Sequence, residues 1–219
     1  MINQLKNDIL QTGFKLVDKN LVAGTWGNIS ARTACNRLIA ITPSGRDYRE
    51  LQSDDIVLVD YNGKVIEGRL VPSSELPLHS AIYQARSDVK AIVHTHSVFA
   101  SACAVARKPI PPIIEDLVQL AGGAIEVAAY ALPGTKELAD NAVQALGSRN
   151  AVLLANHGVI GCGQSLTEAF TACELVEKAA QIFIYANQLG GAVVLSEEDV
   201  ACMHTFYLEQ YRNRQGGCS

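Results

Sequence analysis

Two histidines stand one residue apart in the segment AIVHTHSVF, which covers residues 91–99 of this 219-residue chain. The segment is apolar and rich in β-branched residues, so it predicts a buried strand. Because side chains alternate between the two faces of a strand, His94 and His96 would point to the same face. The chain must therefore build a sheet that gives two neighbouring imidazoles polar partners, since burying them without partners is costly.

Two kinds of partner fit this pattern. The rings could be half-buried and hydrogen-bonded to backbone groups, or they could share a metal ion that satisfies both. We predict a metal, because neutral imidazole is a common zinc ligand and a catalytic zinc usually has three protein ligands. The third would be His157, at the end of a second apolar segment, AVLLANHG, where Gly158 would let the backbone turn and other groups approach.

A carboxylate precedes the histidine strand. Glu75 lies early in a predicted helix, where it could be a fourth ligand or a base beside the metal. His79 follows four residues later on the same helical face, and it could either support the site or pack in the core. His204, in the last predicted helix, is expected to be a surface or core residue.

Three short segments have the composition of an anion site: GTWGN (24–28), TPSG (42–45) and PSSE (72–75). Small residues let backbone N–H groups approach a ligand, and hydroxyl and amide side chains can donate to phosphate oxygens. The third segment also opens a helix, whose first N–H groups favour negative charge. Each segment taken singly could equally be an ordinary turn.

The charge and the composition indicate which kinds of binding partner are not expected. The formal charge is −4 and only 18% of residues are charged, so neither nucleic acid nor an anionic membrane is expected as a partner. The N-terminal segment MINQLKNDIL lacks an apolar signal region, and no apolar run reaches the ~18 residues of a membrane span. We therefore expect a cytoplasmic protein. Six cysteines without CxxC spacing are expected to be structural thiols: Cys35, Cys103, Cys162, Cys173, Cys202 and Cys218.

The hydrophobic pattern alternates between strands and helices along the whole chain. An amphipathic helix is predicted from about Asn3 to Lys19, and Asn62-Gly63 between apolar runs predicts a β-hairpin. PSSELPLHSAIYQARSD predicts a helix with serine caps and Pro77 in its first turn. A short helix after the prolines of KPIPPII and a strand near IEVAAYA follow.

The C-terminal third is predicted to be largely helical. A helix from about Lys136 to Leu146 precedes the AVLLANHG strand, and Ser165 caps a long helix that reaches Leu189. Ser196 caps a final helix. With 48% hydrophobic residues and no linker, the chain is expected to form a single domain over residues 1–219. The predicted fold is an α/β sandwich with a central, largely antiparallel sheet covered by helices.

The order of these motifs resembles a known family. AGTWGNIS, ITPSG, PSSELPLH, AIVHTH, AGG, PGTKELA and LLANHGVI together resemble the class II aldolase/adducin family over nearly the whole chain. The resemblance implies one α/β domain on a central antiparallel sheet. It also implies a homotetramer with active sites at subunit interfaces.

The resemblance assigns roles to individual residues. It implies that His94, His96 and His157 bind Zn²⁺, although Mn²⁺ or Co²⁺ would also suit such ligands. Glu75 would touch the metal in the resting site and act as acid/base once substrate displaces it. The phosphate-binding positions of the family fall on Thr25, Asn28, Ser44, Gly45, Ser73 and Ser74.

The implied activity is aldol cleavage of a small phosphorylated sugar. A ketose 1-phosphate such as L-fuculose 1-phosphate, or a ribulose, deoxy or methylthio analogue, would be split reversibly into dihydroxyacetone phosphate and an aldehyde. A sugar-phosphate dehydratase of the methylthioribulose-1-phosphate type, a 4-epimerase or a decarboxylase could use the same metal site. A non-catalytic, adducin-like interaction module is a third alternative, and the complete histidine set with Glu75 argues against it.

The chain departs from the family pattern at one catalytic position. Aldolases of the family have a tyrosine upstream of the Gly-Gly pair, which a neighbouring subunit contributes, whereas this chain has Glu115 and Asp116. Asp116 could do similar acid/base work, or it could be a surface carboxylate at a helix start. The C-terminal tail, which carries a functional tyrosine in some relatives, offers Tyr207 and Tyr211.

Overall fold

A mixed sheet runs through the middle of residues 1–212, the part of the chain that the computed structural model describes. The strands of this part are β1 (Asn28–Arg32), β2 (Ile39–Ile41), β3 (Val57–Val59), β4 (Val65–Glu67), β5 (Ala91–Thr95), β6 (Val127–Ala128), β7 (Ala151–Leu154) and β8 (Gly158–Gly163). Their order in the sheet is β4-β3-β2-β1-β5-β8-β7-β6. All neighbours are antiparallel except β6 and β7. The predicted α/β class with a largely antiparallel sheet is confirmed.

Helices cover both faces of this sheet. In residues 1–212 they are α1 (Ile2–Asp18), α2 (Leu76–Ala85), α3 (Val98–Val105), α4 (Glu115–Ala121), α5 (Lys136–Leu146), α6 (Leu166–Gln188) and α7 (Glu197–Phe206). Helices α2 and α5 pack on one face, and α1 and α6 pack on the other. Alternation along β5 follows this division, because Ile92 packs toward α2 and α5 while Ala91 and Val93 pack toward α1 and α6. His94 therefore lies on the α2 side.

The predicted hairpin and all six predicted helices are present. In the turn between β3 and β4, Gly63 takes the positive φ of 85°, and its N–H bonds to the carbonyl oxygen of Asp60. The oxygens of Ser165 and Ser196 accept from the third backbone N–H of α6 and α7, so both predicted caps are confirmed.

The serine caps predicted for α2 are wrong. Glu75 itself is the N-cap residue, and its side chain does not cap the helix. The Ser73 hydroxyl instead accepts from the Glu75 backbone N–H at 3.3 Å, inside the loop before the helix. The Glu75 carboxylate is therefore free to point away from its own helix.

The strand predicted over AIVHTHSVF ends at Thr95, and α3 begins three residues later at Val98. The sequence indicated no helix here because valine and phenylalanine open it, although small residues with good helix propensity follow. The Glu177 carboxylate of α6 accepts from the backbone N–H groups of Phe99 and Ala100 at 2.9 and 2.8 Å. A side chain distant in sequence thus stabilises the start of α3.

Three of the cysteines fit the expectation of buried thiols. Cys103, Cys162 and Cys173 are buried free thiols, whereas Cys35 and Cys202 are free and exposed. Cys218 lies outside the described residues. None of the helices described in residues 1–212 is long and apolar enough to cross a membrane.

Candidate active site

Three imidazoles meet where β5 lies beside β8. The Nε2 atom of His94 is 2.8 Å from Nε2 of His96 and 3.3 Å from Nε2 of His157. Zn–N bonds of ~2.0–2.1 Å in a tetrahedral site place two ligand nitrogens about 3.4 Å apart. The three nitrogens therefore have almost the spacing of metal ligands, and together they form a possible metal site.

His157 reaches the site through an unusual turn. Asn156, with φ of 54°, is the left-handed residue between β7 and β8, so the expectation that Gly158 makes the turn is wrong. The expected close approach is present instead: a Cβ on Gly158 would lie 2.2 Å from the carbonyl oxygen of Thr95. Glycine is needed here so that β8 can approach β5.

The charge state of the rings suits metal binding. Burial lowers the pKa of His94 to about 3 and that of His96 to about 4, so both are neutral near pH 7. Nδ1 of His94 lies 3.0 Å from the carbonyl oxygen of Val159, to which it can only donate. Nε2 of His94 is then unprotonated and presents a lone pair to the other two rings. This donor set fits a divalent transition metal.

Glu75 brings a carboxylate to the same point. Its Oε2 lies 3.1 Å from Nε2 of His94, and its Oε1 lies 3.3 Å from Nε2 of His157. Burial acts to raise the pKa of Glu75, but His94, His157 and a hydrogen bond from Asn28 together hold that pKa below its ordinary value. The carboxylate is thus ionised at neutral pH and adds a negative charge beside the three rings.

A chain of buried polar side chains continues behind Glu75. Asn28 Nδ2 lies 2.7 Å from Glu75 Oε2, and Asn28 Oδ1 lies 2.6 Å from Nε2 of His79. Nδ1 of His79 lies 2.6 Å from the Ser30 hydroxyl, which lies 2.8 Å from the Tyr83 hydroxyl. Burial lowers the pKa of His79 to about 3, so this ring is neutral too. His79 was expected either to support the site or to pack in the core. Its hydrogen bond to Asn28, which in turn bonds to Glu75, favours support of the site.

A cavity of about 240 Å³ opens beside Glu75, His96 and His157. Loops 42–45 and 72–75 meet along its wall, because Ser44 N–H bonds to the Val71 carbonyl and Ser73 N–H bonds to the Thr42 carbonyl. The structure brings together in this wall all six residues predicted to bind phosphate: Thr25, Asn28, Ser44, Gly45, Ser73 and Ser74. Thr25, Ser44 and Ser74 are exposed, so their hydroxyls can donate to a ligand, whereas Asn28 and Ser73 are buried.

Sequence reasoning did not single out Trp26, which also lines this cavity. Its ring stacks on His96 with 6.0 Å between ring centroids, and the residue is 66% exposed. The available signal was a large aromatic residue in the glycine-rich segment GTWGN, where small residues would suffice for a turn.

Asp116 and the tail tyrosines lie outside this cavity. Asp116 is in the first turn of α4 and pairs with Lys178 of α6. Tyr207 is buried, and its hydroxyl donates to Glu168 at 2.9 Å, while Tyr211 is 41% exposed. His204 is partly buried, and its Nδ1 donates to the carbonyl oxygen of Gln119. It does not line the cavity, as expected for a surface or core residue.

Several known proteins are similar to this chain in both sequence and fold. Residues 7–184 match the model of the class II aldolase and adducin N-terminal domain. A 5-deoxy-D-ribulose 1-phosphate aldolase of Bacillus thuringiensis serovar kurstaki is 38% identical over 91% of this chain and 93% of the relative. An L-fuculose phosphate aldolase of Escherichia coli K12 is 38% identical over 91% and 92% of the two chains. A solved structure of an L-fuculose 1-phosphate aldolase superposes with a TM-score of 0.90 at 42% identity, covering 94% of this chain and 96% of that one.

These matches span the segments that carry the histidines, Glu75 and the cavity loops. The chain therefore belongs to the class II aldolase and adducin family, and it groups with the aldolases of that family.

Proposed function

We propose that this chain is a zinc-dependent aldolase that reversibly cleaves a ketose 1-phosphate into dihydroxyacetone phosphate and an aldehyde. The observation that carries the proposal is the convergence of His94, His96, His157 and Glu75 beside a cavity whose loops present free hydroxyls. The names of the relatives suggest L-fuculose 1-phosphate, 5-deoxyribulose 1-phosphate and 5-methylthioribulose 1-phosphate as the first substrates to test.

The cavity loops would hold the phosphate. Thr25, Ser44 and Ser74 offer hydroxyl donors, and Gly45, at φ of 66°, has open space where a side chain would stand. Asn28 and Ser73 lie deeper in the same wall. Fixing the phosphate at one end of the substrate orients the reacting carbons toward Glu75 and the histidines, which raises the rate.

Glu75 would carry the proton at the reacting carbon. In condensation the ionised carboxylate would remove a proton from the carbon of dihydroxyacetone phosphate that forms the new bond. In cleavage the electron pair of the broken bond stays on that carbon, and Glu75, after taking up a proton from solvent, would return it there. Oε1 of Glu75 is buried and accepts no hydrogen bond from the described residues, so it would be the oxygen that handles the proton once substrate displaces the carboxylate. Bound zinc would supply Lewis-acid stabilisation of the negative charge that develops during cleavage.

The aldehyde half of the substrate would meet a second copy of the chain. Asp116 pairs with Lys178 and does not line the cavity of its own chain, so it would act on the hydroxyl proton of the departing aldehyde from a neighbouring subunit. We therefore propose a homotetramer of single-domain chains with shared sites, and a cytoplasmic location. Mn²⁺ or Co²⁺ could replace zinc at the three histidines.

The test is condensation in the reverse direction. Metal-replete protein is incubated with dihydroxyacetone phosphate and a panel of short aldehydes, and products are identified by mass and stereochemistry. We expect condensation that disappears after chelation and in Glu75→Gln, but persists in Glu137→Gln, a matched change at an exposed glutamate. Tight metal binding without condensation with any aldehyde would contradict the aldolase proposal. Ketose-phosphate dehydration, epimerisation and decarboxylation would then be the next reactions to test.

A further inference from the structure

We propose that His79 is a positioning residue: through a buried chain of hydrogen bonds it fixes the direction of the Asn28 amide and so keeps an N–H donor on Glu75. The inference rests on the proposed catalytic role of Glu75. It concerns a residue that touches neither the three histidines of the candidate metal site nor the cavity.

The positions of four side chains follow from two local periodicities. Asn28 and Ser30 are two residues apart on β1, so both face α2. Glu75 and His79 are four residues apart, and the His79 backbone N–H bonds to the Glu75 carbonyl, so both lie on one face of α2. The two pairs interleave, with Asn28 between Glu75 and His79, and with Ser30 beyond His79.

Within residues 1–212 four side chains hydrogen-bond only to one another and to Glu75, namely Asn28, Ser30, His79 and Tyr83. His79 and Ser30 have 0% exposure, Asn28 has 5% and Tyr83 has 1%. Water cannot replace a lost partner easily at such positions, so each donor must face an acceptor.

The direction of every hydrogen bond in this chain can be deduced from Glu75. An ionised carboxylate can only accept, so Asn28 must turn its NH₂ group toward Oε2. The Asn28 oxygen then faces His79, which must donate from Nε2. Nδ1 of the neutral ring is left as an acceptor for the Ser30 hydroxyl, and Ser30 in turn accepts from the Tyr83 hydroxyl.

This chain orients groups and does not conduct protons. An amide stands between His79 and Glu75, and Asn28 cannot pass a proton from one side to the other at neutral pH. If the Asn28 amide flipped, its oxygen would face Glu75 Oε2 at a separation of 2.7 Å, and the two acceptors would repel. The His79 donor prevents that flip, so Oε2 stays bound to Asn28 while Oε1 accepts no hydrogen bond from the described residues.

The first test does not depend on aldolase activity. NMR of ¹⁵N-histidine-labelled, metal-loaded protein reports which ring nitrogen of His79 carries the proton, and a His79→Gln spectrum assigns the resonances. We expect a neutral ring with a protonated Nε2 and an unprotonated Nδ1. A ring protonated at Nδ1 would overturn the proposal, because His79 would then accept from Asn28 and turn the amide oxygen toward Glu75.

The second test separates positioning from packing. His79→Leu retains an apolar side chain of moderate size without a donor, whereas His79→Gln can still donate to Asn28. Loss of an outer-shell partner typically costs 10–100-fold in activity or metal affinity. We expect His79→Leu to lower kcat at least about tenfold with KM for dihydroxyacetone phosphate changed less than about twofold, and His79→Gln to recover most of the loss.

The alternative outcomes are distinct. If folded His79→Gln, checked by circular dichroism and thermal unfolding, is no more active than His79→Leu, the proposal is wrong and the histidine serves packing. If the wild-type protein shows no aldolase activity, the proposed function fails, and the tautomer measurement still decides whether His79 directs the Asn28 amide.

Discussion

The carbonyl oxygen of Thr95 occupies the space that a side chain on Gly158 would need, at 2.2 Å from the position of its Cβ. A Cβ there would also lie 3.0 Å from a ring carbon of His96 and 3.2 Å from one of His94. The strand that carries His94 and the strand that follows His157 thus approach each other at a distance that only glycine permits.

Gly158→Ala should therefore weaken metal binding. The methyl group must push β8 away from β5, which moves His157 relative to the other two rings. We expect metal affinity to fall at least about tenfold, the scale on which disturbed ligand orientation acts. Titration of apo protein with Zn²⁺ measures this change.

Gly161→Ala is the matched control on the same strand. Its Cβ would lie 2.5 Å from the Ala169 carbonyl oxygen and 2.7 Å from the Cys173 sulfur, on the α6 side of the sheet. Both variants should unfold at lower temperature, but only Gly158→Ala should bind metal more weakly per folded chain. Equal losses of affinity would show that the close approach of β5 and β8 has no special effect on the histidines.

Asp116 is expected to contribute to catalysis only in the active site of a neighbouring subunit. Within one chain it pairs with Lys178 and lies outside the cavity. Asp116→Asn and Glu75→Gln should each be nearly inactive. If each site takes Glu75 from one copy and Asp116 from another, random mixing of equal amounts should restore roughly a quarter of the wild-type sites.

The mixing experiment needs unfolding and refolding of the two variants together. Each variant refolded alone serves as the control. Full activity of Asp116→Asn by itself would contradict the catalytic role and leave Asp116 as a surface ion pair, which contributes little to stability.

Trp26 should report on the cavity by fluorescence, because it is the single tryptophan of the chain and stacks on His96. The residue is 66% exposed, so a ligand that enters the cavity would partly exclude water from its ring. We expect dihydroxyacetone phosphate to shift the emission to shorter wavelength, and metal binding to change its intensity. Calorimetric binding without any spectral change would place the ligand away from Trp26.

Tyr207 and Tyr211 should differ in what their hydroxyls do. The Tyr207 hydroxyl bonds to the buried carboxylate of Glu168, which also accepts from Arg212 at 2.9 Å. Tyr207→Phe should cost about 1 kcal/mol of unfolding free energy, or roughly 2–4 °C in Tm, with kcat unchanged. Tyr211→Phe should leave Tm unchanged, and thermal unfolding with steady-state kinetics separates the two.

If a tail tyrosine contributes to turnover, the structure favours Tyr211, which is exposed. A fall in kcat for Tyr207→Phe without loss of stability would contradict this assignment. It would mean that the tail leaves Glu168 during the reaction.

The sequence predicted the parts of the site that depend on local periodicity. Strand alternation predicted His94 and His96 on one face, and the two rings do meet, although His96 lies one residue beyond the end of β5. The end of the apolar segment at Ala151–Leu154 indicated His157. The hairpin at Gly63 and the helix Lys136–Leu146 likewise follow from short-range signals. The residues themselves also indicated Glu75 and the three loop segments, and the family resemblance then assigned roles to individual residues in them; the structure brings these residues together.

Contacts between distant segments could not be predicted in this way. The chain from Asn28 to Tyr83 depends on how α2 packs on β1, and α3 depends partly on Glu177, which lies about 80 residues beyond it in sequence. Local periodicity pairs Asn28 with Ser30 and Glu75 with His79, but no short-range signal shows that the two pairs meet or that Glu177 reaches α3. The left-handed turn at Asn156 was missed because a neighbouring glycine offered the simpler explanation.

The pairing of β5 with β8 has a consequence for the lifetime of the folded protein. His94 and Val159 touch although they are 65 positions apart, so a long loop containing three helices must close before the histidines can meet. An ion that binds only the completed site stabilises the native state, and interactions formed after the rate-limiting step slow unfolding without hastening folding. The persistence of this protein in a cell would then depend on metal supply, while its rate of folding would not.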